Sequence, residues 1–83
     1  MMFLHLGEDC VVSKNDIIGI FDIETTTISK STKEFLKKAE KKKQIITVSY
    51  EIPKSFVVCK RKNKQIVYIC GVASSTLLKR ARI

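Results

Sequence analysis

Beyond Asp22 the 83-residue chain contains no aspartate, and its only carboxylates after Glu24 are Glu34, Glu40 and Glu51. A two-metal phosphoryl-transfer site, which needs several carboxylates converging on one clamp, cannot be assembled from so few. Cysteine is equally sparse. Cys10, Cys59 and Cys70 are odd in number and form no closely spaced pair, and His5 is the single histidine. That pattern gives neither a disulfide framework nor a zinc knuckle, and the three thiols read as small buried hydrophobes in a reduced compartment. Three scattered glycines make no phosphate-cradling loop, and the lone histidine has no nucleophile at a recognisable spacing. No catalytic residue, metal or cofactor is expected, and the chain is not read as an enzyme. No apolar run approaches the roughly 20 residues of a membrane span, and MMFLHLGED lacks the basic start and long apolar core of a signal peptide. A cytoplasmic location, away from membranes, is the expectation.

What the chain has in quantity is positive charge: sixteen Lys and Arg against eight Asp and Glu give +8. The distribution is uneven. Residues 1–29 hold one lysine and five acids, whereas residues 30–83 hold fifteen bases and three acids. Such an asymmetry points to a polyanionic partner, nucleic acid before an anionic membrane surface. At this length one domain spanning residues 1–83 is expected. It would bury only about 60 to 65 per cent of its unfolded surface, which makes self-association the natural source of extra support.

The hydrophobic pattern predicts an α+β fold with about six short strands, one main helix and a short C-terminal helix. Phe3 to Leu6 and Cys10 to Ser13 read as two strands around Gly7-Glu8-Asp9, and Asp16 to Glu24 as a third. In that third strand Ile17, Gly19, Phe21 and Ile23 share one face, with Ile18 and Ile20 on the other. Ser31-Thr32-Lys33-Glu34 fits a capping box for a helix running to about Lys43. That helix docks Phe35, Leu36 and Ala39 and turns its lysines outward as a solvated face. Ile45 to Tyr50 is β-rich, and Ser55 to Lys60 with Gln65 to Cys70 forms a hairpin around Arg61-Lys62-Asn63-Lys64, where Asn63 suits a left-handed conformation. Both faces of these strands are apolar, so the second face must pack on another sheet layer, on a neighbouring subunit, or on both. Ser74-Ser75-Thr76 can cap a short helix beginning at Leu77.

Particular motifs carry two resemblances. GIFDIETTT, residues 19–27, resembles the first motif of proofreading-type 3′ to 5′ exonucleases, since Asp22 and Glu24 share a strand face. Without partner carboxylates they read instead as the polar end of a buried strand. The wider pattern LHLGEDCVVSKNDIIGIFDIE, EFLKKAEKK, PKSFVV and SSTLLKRA resembles the extracellular matrix regulatory protein family of endospore-forming bacteria, RemA and RemB, and most resembles the RemB branch. The match covers almost the whole chain, with PKSFVV and SSTLLKRA its most specific pieces. That resemblance implies a small α+β protein forming a ring-like homo-oligomer and acting as a DNA-binding transcriptional activator of biofilm-matrix operons. The arginines through which the RemA branch binds DNA fall here at Asp16 and near Glu51 and Ile52, while Lys54 matches a basic position.

The leading expectation is therefore a regulator of matrix genes that binds double-stranded DNA. Its candidate contacts are Lys54, the hairpin tip Lys60, Arg61, Lys62 and Lys64, and the tail Lys79, Arg80 and Arg82. With only three arginines to supply bidentate guanine contacts, it would bind mainly phosphates. The alternative is a structural or assembly partner of another matrix regulator, with no DNA contact of its own. RNA recognition ranks third, because Phe3, Phe21, Phe35, Tyr50, Phe56 and Tyr68 mostly occupy core-like positions instead of forming exposed stacking platforms.

Overall fold

Ser55–Arg61 and Lys64–Cys70 alternate apolar side chains along two seven-residue strands and pair antiparallel over their full length, from Ser55↔Cys70 to Arg61↔Lys64. Around this pair a computed structural model of the chain describes residues 3–7, 9–23, 30–48 and 51–81. In chain order the elements are β1 (Phe3–Gly7), β2 (Cys10–Ser13), a 3-10 turn (Lys14–Asp16), β3 (Ile17–Asp22), α1 (Lys30–Lys41), β4 (Ile45–Thr47), β5 (Ser55–Arg61), β6 (Lys64–Cys70) and α2 (Ser74–Ala81). The fold is α+β, as expected, with β1–β2 as a separate two-stranded sheet and the other strands ordered β3-β5-β6-β4. β4 runs parallel to β6, with Ile45 opposite Val67, and all other pairings are antiparallel.

Because the central strands are apolar on both faces, each face takes its own cover. Val57, Cys59 and Cys70 pack against Leu4, Leu6 and Val12 of the small sheet and Leu77 of α2. On the other face Phe56, Val58 and Val67 pack against Ala39, Phe35 and Leu36 of α1. The second layer is thus the chain's own β1–β2 hairpin with α2. All three cysteines are free and belong to or border the first cluster. Burial pushes the thiols of Cys59 and Cys70 from an ordinary 9.0 up to about 11, with the Asp16 charge adding to the effect at Cys59. Thiols held protonated in this way are packing groups and poor nucleophiles.

Four details differ from the sequence-based expectation. First, Asp16 lies in the 3-10 turn, and the pairing of β3 with β5 slips between Ile17↔Cys59 and Gly19↔Val58. One extra residue, Ile18, is accommodated there as a bulge, so Ile17 and Ile20 point to the β1–β2 layer and strict alternation resumes only at Gly19. A side chain at Gly19 would meet the ring of Phe21 at 2.7 Å. That ring stacks on Phe56, its cross-strand partner, with centroids 5.0 Å apart. Second, α1 is already under way at Lys30, so Ser31 sits inside the helix and cannot serve as the N-cap of a capping box. Third, α2 starts at Ser74, not Leu77. The Ala73 carbonyl accepts from the N–H groups of Thr76 and Leu77, at 3.0 and 3.1 Å, so Ser74, Ser75 and Thr76 form the first turn instead of preceding it. Fourth, the β-rich run at Ile45 is a strand only to Thr47, and residues 49 and 50 fall outside the described residues, as does Glu24.

The C-terminus of α1 sets where β4 joins the sheet. The N–H of Gln44 donates to the Ala39 carbonyl at 2.8 Å and that of Lys43 to Glu40 at 3.0 Å, while Lys43 has φ 58. This is the Schellman arrangement, with a lysine where glycine is usual. The Gln44 carbonyl then accepts from the Val67 N–H at 2.8 Å, which starts the parallel ladder of β4 on β6.

Candidate nucleic-acid interface

The β5–β6 connection is tighter than a four-residue loop. Arg61 and Lys64 close the ladder as a pair, and only Lys62 and Asn63 form the turn, with φ of 50 and 66. Two positive φ values in a two-residue hairpin loop define a type I′ turn, which fits the right-handed twist of its strands and favours Asn-Gly. Asn63 fulfils the sequence-based expectation, whereas Lys62 adopts the left-handed region against its preference. Lys60, Arg61, Lys62 and Lys64 are all exposed.

Strand alternation divides these cations between the faces. Cys59 and Ile66 face the β1–β2 layer, so Arg61 and Lys64, one ladder step toward the turn on the same side of each strand, face it too, and both line a cleft of about 240 Å³ with Phe3, Val11, Asp16 and Tyr68. Like charges directly opposite on an antiparallel pair repel, and here Asp16 lines the same cleft. Lys60 pairs with Gln65 and points to the α1 side. In the 3-10 turn, two residues before Asp16, the Lys14 ammonium nitrogen is buried, with no hydrogen-bond partner among the described residues.

Lys54 stands at the opposite end of β5, six residues or about 20 Å of strand from Lys60. Its backbone is fixed on both sides: its N–H donates to the Cys70 carbonyl at 2.8 Å, and its carbonyl accepts from Ile23 at 3.1 Å. The side chain is exposed, as are those of Glu51 and Ile52 beside it. Lys79 and Arg80 lie on α2 in the β1–β2 layer, where Arg80 Nη1 donates to the His5 carbonyl at 3.2 Å. Arg82 lies outside the described residues. The candidate cations therefore form three separate groups, and only the tip residues are brought together.

Two further surfaces bear on recognition. Phe3 is 61% exposed and Phe21 37%, so the aromatics are less completely in the core than alternation alone predicts, although Phe56 is buried. Ile18, Phe21, Phe35, Phe56 and Val58 line an open apolar groove of about 350 Å³ between β3 and α1. Among the described residues no cluster of three His, Cys, Asp or Glu side chains could hold a metal, and no helix is long and apolar enough to cross a membrane.

Comparison with known proteins matches the sequence of this chain to a family model and to a relative. The family model described as RemA-like, extracellular matrix regulatory protein A-like, matches residues 3–81. The extracellular matrix regulatory protein B of Bacillus subtilis (strain 168) is 43% identical over 81 residues, covering 98% of this chain and 91% of that protein. The match runs from β1 through α2 and so takes in both covers of the sheet as well as the basic hairpin. This chain belongs to the RemA-like family of extracellular matrix regulatory proteins.

Proposed function

We propose that this protein is a cytoplasmic DNA-binding transcriptional regulator of extracellular matrix (biofilm) genes, acting as a ring-like homo-oligomer through basic surface patches. Family membership supports a role in matrix regulation. The observation that carries DNA contact is the β5–β6 tip, where four exposed cations surround a two-residue turn that projects from the sheet. Its lysines would bind phosphates with little base readout, and repetition of one weak patch around an oligomer would supply avidity. Because both faces of the four-stranded sheet are covered within the chain, self-association would use what stays exposed. Ile18 and Phe21 beside the groove, and Phe3 and Val11 on the small sheet, are the apolar candidates.

The test is a gel shift of the purified protein on duplex DNA, with oligomer mass from light scattering. Arg61→Glu with Lys62→Glu should keep the mass and lose binding. A second reading, an assembly partner of another regulator without DNA contact of its own, is favoured by Asp16 lining the same cleft as Arg61 and Lys64. No shift by the wild-type protein at low salt would select it.

A further inference from the structure

We infer that the nucleic-acid surface is composite: the C-terminal turn of α1, Lys41, Lys42 and Lys43, joins the β5–β6 tip as a second row of phosphate-binding groups. This rests on the DNA-binding proposal and specifies its extent.

The topology brings the two groups to one end of the sheet. Gln44 is hydrogen-bonded to Val67. Lys64 precedes Val67 by three residues, about 10 Å at strand rise. Lys43, adjacent to Gln44, is therefore within the combined reach of two lysine side chains from the base of the tip. Lys60 points to the same α1 side of the sheet, and Lys41, Lys42, Lys43 and Lys60 are all exposed. Glu40 is the one acid in this stretch of the helix. The ladder thus places the end of α1 and the β5–β6 tip at the same end of the sheet, with Lys60 on the face that α1 covers.

Backbone conformation supplies an independent observation. Among the described residues, only Lys43, Lys62 and Asn63 combine a side chain with positive φ. Asparagine tolerates this region; lysine does not favour it, and glycine at either lysine position would relieve the strain. Both strained lysines lie at this one end of the sheet, one at the helix terminus and one at the hairpin turn. Strain retained at two neighbouring cations has a physical explanation if their charge is used there. The ligand is a double-stranded nucleic acid, chosen by complementarity: two groups of exposed cations at one end of the sheet match a repeating phosphate backbone, not a single buried anion.

The experiment measures duplex binding between about 50 and about 200 mM salt, together with thermal melting. Lys41→Gln, Lys42→Gln and Lys43→Gln are combined in one variant, glutamine being chosen so as not to place negative charge at a helix C-terminus. Its log–log salt slope should fall by about 0.9 for each phosphate that a bound subunit no longer neutralises. Lys43→Gly should melt a few degrees higher yet bind more weakly, a combination that a merely structural role does not produce. If the triple variant binds with unchanged affinity and slope while Arg61→Glu with Lys62→Glu abolishes binding, the site is confined to the tip and the composite surface is overturned. Failure of the wild-type protein to bind duplex at low salt overturns the DNA-binding proposal itself.

Discussion

β5 and β6 are joined at both ends, and the two ends are built on different terms. At the Ser55–Cys70 end the chain closes on itself. The Ser55 hydroxyl, fully buried, donates to the Val72 carbonyl at 2.7 Å, the Lys54 backbone is bonded to both Cys70 and Ile23, and α2 starts directly beyond at Ser74. At the Arg61–Lys64 end, like charges face each other across the ladder, the turn contains a left-handed lysine, and every tip cation is in solvent. One end satisfies its polar groups internally. The other sets like charges against each other in solvent, with Asp16 the one acid lining the cleft they share, which lowers stability locally. Stability and charge are thereby assigned to opposite ends of the same two strands, and perturbing each end should change different observables.

The largest effect is expected from Leu77→Ala, which empties a fully buried position of α2. Loss of the side chain plus an unfilled cavity should cost about 3 kcal/mol in urea unfolding. Ser55→Ala comes next: the Val72 carbonyl loses its partner, for a loss of about 1–3 kcal/mol. Neither variant should alter the salt slope of DNA binding under conditions where it is folded. The smallest effect has the opposite sign. Lys62→Asn puts a residue suited to positive φ into the turn and should stabilise the fold by about 0.5–1 kcal/mol, while lowering the salt slope. A destabilised Lys62→Asn, or a changed slope in Ser55→Ala, would dissolve the distinction between the ends.

Much of this arrangement is legible in the sequence, and the exceptions have physical causes. Alternation reveals β1, β2, β5 and β6, and Asn63 marks the turn, because these features depend on neighbouring residues alone. The bulge at Ile18 is one inserted residue in an unbroken apolar run, and nothing in IIGI distinguishes it from regular strand except Gly19. Serines suggest caps at both helices, yet α1 reaches back to Lys30 and α2 is started by the Ala73 carbonyl. Hydroxyl side chains are compatible with a helix's first turn as well as with its cap. The lysines of α1 read as a solvated face in the sequence because their relation to the tip depends on β4 lying parallel to β6, a pairing between segments about twenty residues apart. The tip itself is visible directly, since its charge density is local.

The edges of the sheet limit how copies of this chain can meet. A strand can be added to a sheet only where the outer strand offers a regular row of N–H and C=O groups over several residues. β4, on one edge, has three residues, and β3, on the other, is interrupted by its bulge near the start. Neither edge is a good template for continuing the sheet into a neighbour, so the same features that shape the fold also protect it from open-ended strand pairing. In the oligomer proposed above, assembly through this sheet would be left to side chains meeting face to face, a geometry in which subunit number is set by the angle between two patches and growth stops when the circle closes.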